Sequence, residues 1–186
     1  MPIQKQLEIS LARRAAAGDG EAFSALAESI RTRLARYSRM VCRQPEDAEE
    51  VVQDTLLQVF QRIGELREPE VVHAWVFRIA LNQCRMKRRR GVHDPEEWQS
   101  LEGCREQTSL AEIGPSPEEL LLATESSHAM DEVILALPES YREVVMLRCL
   151  EGLSTEETAA VLETSVDVVR ARLHRARSAM RSRIAP

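Results

Sequence analysis

The sequence predicts an all-α protein built from two small helical domains that are joined by a flexible acidic linker. Apolar residues recur at helical spacing along most of the 186 residues, whereas the alternation typical of a half-buried strand is scarce. Aromatic residues make up only 4% of the chain, which favours interiors of Leu, Val and Ala over an aromatic-rich β fold. Two basic segments flank an acidic stretch, so the charge pattern indicates where one domain ends and the next begins.

The N-terminal domain is predicted to span residues 1–92 and to contain four helices. In chain order they are residues 7–17, residues 21–42, a helix that begins at Pro45, and a helix from about Val71 into the basic run at 87–90. A Gly-Asp-Gly turn separates the first two helices, and a loop around Pro69 separates the last two. Proline is favoured at the first position of a helix, because that position needs no backbone N–H donor.

The linker is predicted at residues 93–115, where glycine, proline and acidic residues replace the helical pattern. Residues 94–125 carry nine acidic side chains against one base, Arg105, although the whole chain has a net charge of only −5. A nucleic-acid footprint is a local patch, and an acidic total therefore does not exclude one on the basic segments.

The C-terminal domain is predicted at residues 116–186, and its last part has the pattern of a helix-turn-helix. Ser116 and Ser154 each begin a capping box, in which a Ser and a Glu three residues later satisfy free backbone donors at a helix start. Between them, Pro138 opens a further helix. A short helix after Ser154, a three-residue turn and a basic final helix from Val166 complete the motif.

The final helix presents an arginine opposite its apolar stripe. The residues predicted to face the core are Val166, Val169, Leu173, Ala176, Met180 and Ile184. At about 100° per residue, Arg175 lies about 200° from Leu173, on the face where a DNA groove would be. Arg170 and Arg177 lie nearer the core edge and suit phosphate contacts. A solvated basic face is the alternative interpretation, but the preceding turn and short helix favour nucleic-acid binding.

Several classes of protein are disfavoured by what the sequence lacks. The start MPIQKQLEIS has no apolar core typical of a signal peptide, and no apolar stretch approaches the roughly 18 residues of a transmembrane helix. The four cysteines are far apart and form no CxxC, so we expect free thiols in a reducing cytoplasm and no cofactor. A zinc site at His93 and Cys104 is the alternative, but their spacing does not support it. No P-loop, HExxH or GxSxG occurs, so nothing indicates an enzyme.

Three segments resemble bacterial sigma factors of the extracytoplasmic-function (ECF) type. The string DAEEVVQDTLLQVF at 47–60 is similar to the DAEDLVQETF segment of these factors. The string AWVFRIALN at 74–82, followed by two arginines, is similar to their WLxxIAxN…RR segment. The strings EGLS at 151–154 and VRARLHRAR at 169–177 resemble their fourth conserved region. The resemblance follows the family's order and covers nearly the whole chain except the linker.

The resemblance implies a promoter-specificity subunit of RNA polymerase rather than a catalyst, with region 2 in the N-terminal domain and region 4 in the C-terminal domain. The third helix would dock on the clamp helices of the largest polymerase subunit through Asp47, Glu50, Gln53 and Asp54. The C-terminal domain would sit on the polymerase flap, and the acidic linker would occupy the RNA path. The acids early in this helix also favour its dipole, which is an alternative reason for them; they are Glu46, Asp47, Glu49, Glu50 and Asp54.

The resemblance also implies DNA contacts. The fourth helix would recognise and melt the −10 element, with a flipped base near Asn82, through Trp75, Asn82, Lys87, Arg88 and Arg89. The last helix would read the −35 element, with Arg175 as the principal base reader, through Arg170, Ala171, Arg172, His174, Arg175 and Arg177. A structural hydrogen bond is the alternative role for Asn82.

Two other functions stay open at this point. A self-sufficient helix-turn-helix repressor or activator would explain the C-terminal domain but not the two N-terminal segments. An enzyme with a helical metal site would need a ligand spacing that the sequence lacks. Because no sensor domain is apparent, we expect a separate protein, commonly an anti-sigma factor in this family, to control a cytoplasmic factor that does not insert into a membrane.

Overall fold

The computed structural model describes residues 2–42, 45–91 and 127–184, and the regular elements in these ranges are all helical. The α-helices are α1 Pro2–Ala16, α2 Gly20–Val41, α3 Pro45–Arg62, α4 Val72–Gly91, α5 Ser127–Leu135, α6 Glu139–Val145, α7 Thr155–Leu162 and α8 Val166–Ile184. The predicted all-α class is therefore confirmed. The predicted linker at 93–115 and the capping box at Ser116 lie outside the described residues.

The turn between α1 and α2 follows from one glycine and one aspartate. α1 begins at Pro2, earlier than the predicted residue 7, because no glycine or proline interrupts the chain between them. Gly18, with a φ of 96°, follows the end of this helix in a conformation that favours glycine. Asp19 then caps α2 by accepting a hydrogen bond of 3.0 Å from the backbone N–H of Ala22.

The connection between α3 and α4 is more regular than the predicted loop. Two single 3₁₀ turns, Ile63–Glu65 and Pro69–Val71, occupy most of it. The side chain of Ile63 is buried and attaches the first turn to the core. Pro69 takes the first position of the second turn, where no N–H donor is needed. This second turn sets where α4 begins.

The core of the N-terminal domain lies between α2, α3 and α4, and α1 packs along α2. Tyr37 and Phe77 meet edge to face inside it, with ring centroids 5.1 Å apart. Leu26, Leu34 and Leu81 are also fully buried. Since these side chains come from α2 and α4, the core fixes α4, the helix expected to contact the −10 element, against the rest of the domain.

Helices α5 to α8 form the C-terminal domain. The helix predicted from Pro138 is present as α6, which continues into a π-helical turn at Met146–Leu150. Gly152, with a φ of 65°, follows this turn. Arg142 donates a hydrogen bond of 2.6 Å to the backbone carbonyl of Leu135 and so satisfies an acceptor that the end of α5 leaves open.

The two domains pack against each other, a contact that the sequence did not predict. Helices α2 and α4 lie against α5, α6 and α7. Arg36 pairs with Asp131 at 2.6 Å, and Arg78 pairs with Glu163 at 2.8 Å. Arg142 also donates a hydrogen bond of 3.0 Å across the interface to the backbone carbonyl of Met40. Ion pairs and a hydrogen bond therefore cross the interface.

The expectation of free thiols is wrong for two of the four cysteines. Cys42 and Cys84 form a disulfide, and their Cα atoms are 5.3 Å apart, within the usual range for such a bond. They are 42 positions apart in the chain, so a search for closely spaced cysteines does not detect them. The end of α2 packs beside the middle of α4, and this packing brings the two sulfurs together. Cys149 is buried in the C-terminal domain, and Cys104 lies outside the described residues.

Candidate polymerase- and DNA-binding surfaces

Helix α7, the turn at 163–165 and α8 form the predicted helix-turn-helix. The capping box is confirmed, since the Ser154 hydroxyl accepts from the N–H of Glu157 at 3.0 Å and the Glu157 carboxylate accepts from the N–H of Ser154 at 2.6 Å. Glu163 has a left-handed φ of 55° and redirects the chain after α7. Ser165 then accepts a hydrogen bond of 3.3 Å from the N–H of Val168 and begins α8.

The apolar stripe of α8 faces the core as the angular analysis predicts. The buried members of the stripe are Val169, Leu173, Ala176 and Met180. Val166 is half-buried, and the side chain of Ile184 lies outside the described part. On the outer side, the exposed residues predicted to contact the −35 element are Arg170, Ala171, His174 and Arg175. The helix therefore presents one continuous outer face.

The arginines of α8 differ in how much of each side chain solvent reaches. Arg175 is exposed, whereas Arg172 and Arg177 are half-buried. The Nε atom of Arg177 is buried and has no hydrogen-bond partner among the described residues. Arg170 lies 3.3 Å from the carboxylate of Asp167, one turn earlier. Arg175 thus stands exposed on the outer face, and no ion pair with a carboxylate is found for it among the described residues.

The residues predicted to contact the −10 element are spread along α4. Trp75 is half-buried and packs against the core, while Asn82, two turns later, is exposed. Within the described ranges no hydrogen bond to the Asn82 side chain is found. Lys87 is half-buried and contacts the carboxylate of Glu50 on α3. The side chains of Arg88 and Arg89 lie outside the described residues.

The four residues predicted to bind polymerase lie on one side of α3. Glu50 and Gln53 are exposed, while Asp47 and Asp54 are half-buried. They fall within about 120° of one another around the helix at 100° per residue. The opposite side of α3 is the core side, where the buried residues are Ala48, Val51, Val52, Thr55 and Val59. The predicted acids are therefore turned away from the domain interior.

Two apolar residues that the sequence analysis did not assign to docking lie on the same outer face of α3. Leu57 is 54% exposed and Phe60 is 57% exposed. At helical spacing they continue the side that carries Glu50 and Gln53. The ring of Phe60 contacts Phe23 of α2 edge to face, with centroids 5.0 Å apart, so its orientation is fixed. In the sequence, Leu57 and Phe60 already lie outside the helical stripe of Val52 and Val59, and this spacing indicates that they are exposed.

A buried carboxylate ties three helices of the N-terminal domain together. Glu8 of α1 accepts hydrogen bonds from Ser29 at 2.5 Å and from Arg33 at 2.8 Å, and it contacts His73 of α4. Burial opposes its ionisation, but the hydrogen bonds from His73 and Ser29 and the charge of Arg33 outweigh burial and lower the pKa of Glu8 to about 2. Glu8 is therefore ionised at neutral pH.

Glu151 of the C-terminal domain approaches the same arginine from across the interface. Its carboxylate lies 3.7 Å from the Arg33 guanidinium, and the residue is only 8% exposed. Burial raises the pKa of Glu151 to about 7, while the charge of Arg33 opposes this shift and the charge of Glu8 reinforces it. One arginine thus faces two carboxylates, one from each domain, and the second holds a proton near neutral pH.

The described ranges contain no group of three or more His, Cys, Asp or Glu side chains that could hold a metal ion. Within the same part of the chain, no helix is both long and apolar enough to cross a membrane. The outer surfaces described above are an acidic and apolar face on α3, a polar edge on α4 and a basic face on α8.

Two family models match the chain over the regions that carry these surfaces. Sigma-70 region 2 matches residues 26–92, which include α3 and α4. Sigma-70 region 4 matches residues 127–180, which include the helix-turn-helix.

Curated relatives match the chain over most of its length. It is 31% identical over 181 residues to the ECF RNA polymerase sigma-E factor of Escherichia coli (strain K12), a match that covers 95% of this chain and 93% of the relative. The sigma-E factor of Haemophilus influenzae is 29% identical over 182 residues, covering 95% of each chain.

Solved structures of similar shape complete the comparison. CnrH, in complex with the cytosolic domain of CnrY, matches with a TM-score of 0.64 and 28% identity over 95% of this chain and 96% of that chain. The sigma factor RpoE of Bartonella quintana, in complex with the anti-sigma factor NepR, shares the fold with a TM-score of 0.65 and 21% identity over 88% of this chain and 98% of that chain. The chain therefore belongs to the ECF family of RNA polymerase sigma factors, alternative sigma factors that direct transcription initiation.

Proposed function

We propose that this chain binds core RNA polymerase through α3 and places it on promoters through α4 and α8. Region 2 is assigned to residues 1–92, the linker to 93–115 and region 4 to 116–186. The observation that supports this division of work is the presence of two unlike outer faces in one chain. The face of α3 is acidic with exposed apolar residues, and the face of α8 is basic.

The face of α3 has the composition of a protein-binding surface. Leu57 and Phe60 supply exposed apolar area, and acids and an amide surround it. Protein interfaces combine an apolar centre with a polar rim, and a few central side chains dominate their affinity. We assign Leu57 and Phe60 to the centre of the contact with the clamp helices, and the rim to Asp47, Glu50, Gln53 and Asp54.

On α8, Arg175 is assigned to the bases of the −35 element. An arginine on the outer face of a recognition helix can donate to O6 and N7 of one guanine together. Ala171 and His174 are exposed beside it and shape its surroundings. Arg170 and Arg177 are assigned to phosphates, which fix register without reading sequence, and Arg172 flanks the same face.

On α4, Asn82 and Trp75 are assigned to recognition and melting of the −10 element. An exposed amide can pair with the polar edge of a flipped base, and an aromatic side chain nearby gives it a stacking surface. Lys87, Arg88 and Arg89 follow on the same helix and would attract the single strand. The contact between Lys87 and Glu50 joins this basic end of α4 to the docking helix.

The proposed partners and setting follow from the same assignment. The polymerase carries out the bond-forming chemistry, and this chain contributes no catalytic step. It would work in the cytoplasm, where polymerase and DNA are found. The comparison structures contain CnrH with the cytosolic domain of CnrY and RpoE with the anti-sigma factor NepR. On that basis a separate anti-sigma protein is assigned as the regulator of this chain.

Footprinting with and without core polymerase tests the assignment. Specific protection of the −10 and −35 elements is expected only when core polymerase is present, because each DNA-facing surface is small. Equal sequence-specific protection by the chain alone would reject the proposal and favour a self-sufficient repressor or activator.

The melting role of Asn82 has a separate test. Asn82→Ala is expected to leave closed complexes intact and to reduce open complexes, and a premelted template should restore most of the loss. Gln6→Ala, which removes an exposed amide on α1 outside the assigned set, serves as the control. An Asn82→Ala protein that is equally poor on premelted DNA would remove Asn82 from the melting step.

A further inference from the structure

We propose that Cys42 and Cys84 form a reversible redox site that closes to a disulfide under oxidising conditions and then fastens α2 to α4. Their Cα atoms are 5.3 Å apart, which suits a disulfide without movement of the backbone. The pair lies inside the N-terminal domain and outside every surface assigned above to polymerase or DNA. It is therefore a property of this chain's own core.

Whether this bond forms depends on the redox state of the cytoplasm. In the cytoplasm, glutathione and thioredoxin keep most thiols reduced, and the disulfides that do occur there are usually transient or redox-sensing. The cytoplasmic setting rests on the proposed function, whereas the pairing itself does not. We expect the reduced pair in unstressed cells and the disulfide after exposure to an oxidant.

The two sulfurs join parts of the domain that the proposed function uses. Cys42 ends α2, and its backbone N–H donates a hydrogen bond of 2.7 Å to the carbonyl of Ser38. Helix α3 begins only three residues later, at Pro45. Cys84 lies on α4, two residues after Asn82. The bond therefore closes a loop that contains the whole docking helix and ends beside the melting residues.

Such a loop has a clear physical consequence. A cross-link between positions 42 residues apart restricts the unfolded chain much more than the folded one. The folded domain already places both cysteines together, so little folded freedom is lost. The oxidised N-terminal domain should consequently unfold at a higher temperature than the reduced one.

The two cysteines differ in access, and this sets the order of the chemistry. Cys42 is 6% exposed, whereas Cys84 is fully buried. With hydrogen peroxide as the oxidant, the Cys42 thiolate attacks one oxygen and breaks the O–O bond, which leaves a sulfenic acid and one water after proton transfer. The Cys84 thiol then attacks that sulfur, forming the S–S bond and releasing a second water. The two thiols together lose two electrons, and one hydrogen peroxide gains them and becomes two waters.

Mass spectrometry of the full chain tests the pairing. The purified, reduced protein is treated with hydrogen peroxide and then with dithiothreitol under native conditions. The expected result is a loss of about 2 Da, one peptide linking Cys42 to Cys84, and return of both thiols with dithiothreitol. Absence of the link, a link through Cys104 or Cys149, or a bond that survives dithiothreitol in the folded protein would each overturn the proposal.

Thermal unfolding of the same samples tests the consequence. The oxidised protein should melt about 10 °C above the reduced protein. Cys42→Ser and Cys84→Ala should abolish this difference, the second with a small apolar side chain because Cys84 is buried. Cys104→Ser is the matched control and should keep it. Equal melting of the two wild-type forms, or a difference that persists in Cys42→Ser, would contradict the proposal. Both readouts are independent of polymerase and promoter, so they stand or fall separately from the proposed function.

Discussion

The outer faces of α3 and α8 are both helical, yet they have opposite chemistry. α3 presents acids together with two largely exposed apolar side chains, whereas α8 presents arginines and no large apolar residue near Arg175 apart from Val168. Apolar centres suit a protein partner, which can exclude water around them. Arginine faces suit a phosphate-rich duplex, where much of the affinity is sequence-independent and salt-sensitive. The difference indicates that the two faces suit different classes of partner.

The largest expected effect lies on α3. Leu57→Asp places a charge at the proposed apolar centre of the polymerase contact, and we expect core affinity to fall by about 3 kcal/mol, or roughly a hundredfold. Leu7→Asp on α1 is the matched control, since Leu7 is 56% exposed and Leu57 is 54% exposed. Binding of labelled protein to core polymerase measures both. An equal loss in the two variants would remove the special role of the α3 face.

The next prediction distinguishes the roles of two arginines of α8. Arg175→Ala should flatten base preference at one or two −35 positions by about 2 kcal/mol, because a bidentate contact to guanine is lost. Arg177→Ala should weaken all promoters about equally and reduce the salt dependence of binding, as expected for a phosphate contact. Transcription from a −35 library by each mutant holoenzyme measures both. Unchanged preference in Arg175→Ala with altered preference in Arg177→Ala would mean that the helix meets DNA with another face.

A third effect compares the two buried glutamates that face Arg33. The pKa of Glu151 is raised to about 7 in this structure, where the residue is buried beside Arg33 of the other domain, so adopting this arrangement takes up a proton. The stability that this proton gives the interface is complete below the ordinary pKa of a glutamate and is lost as pH rises through about 7. The size of the pKa shift limits the contribution of Glu151 to interface stability to about 3 kcal/mol. Relaxation at the interface reduces this contribution to about 1–2 kcal/mol.

Glu8 has the opposite effect on the pH dependence of stability, and its effect falls in a different pH range. Its pKa of about 2 means that its contribution is present at neutral pH and is lost only in acid, as pH falls toward that value. Between pH 5 and 8 the change should therefore come from Glu151. Energy transfer between dyes on the two domains should decrease as pH rises, and Glu151→Gln, which stays uncharged, should flatten this response. A pH response that is unchanged in Glu151→Gln would assign it to another group.

The smallest effect concerns the turn of the helix-turn-helix. Glu163 has a left-handed φ of 55°, a conformation that glycine adopts more easily than glutamate. Glu163→Gly also removes an exposed ion pair with Arg78, which contributes little. We expect a net gain of about 0.5 kcal/mol, or a rise of about 1–2 °C in melting temperature. A fall in melting temperature would mean that the ion pair outweighs the backbone conformation.

Local signals made most of the fold predictable from the sequence. Pro45 and Ser154 mark helix starts through backbone chemistry that needs no distant partner, and the structure places helices directly at Pro45 and after Ser154. The stripe from Val169 to Met180 likewise follows from helical spacing alone. The same spacing puts Arg175 on the outer face.

Contacts between distant segments were not predictable in this way. The Cys42–Cys84 bond depends on how α2 crosses α4, which no local pattern encodes. Glu8 reads as an ordinary surface acid of α1, yet Ser29, Arg33 and His73 surround it. The exposure of Leu57 and Phe60 likewise depends on how α3 packs against its neighbours, which the family segment alone does not specify.

The ion pairs between the domains hold them closer together than the spacing of the two promoter elements. The −10 and −35 elements are named for positions about 25 base pairs apart, or about 85 Å of duplex. In this structure the domains are in direct contact through ion pairs, with N–O distances of 2.6 Å between Arg36 and Asp131 and 2.8 Å between Arg78 and Glu163. The 35 residues between Gly91 and Ser127 could span at most about 120 Å if fully extended. If α4 and α8 contact the two elements at the same time, as proposed, the domains must part, and the work of parting them is subtracted from the affinity for every promoter.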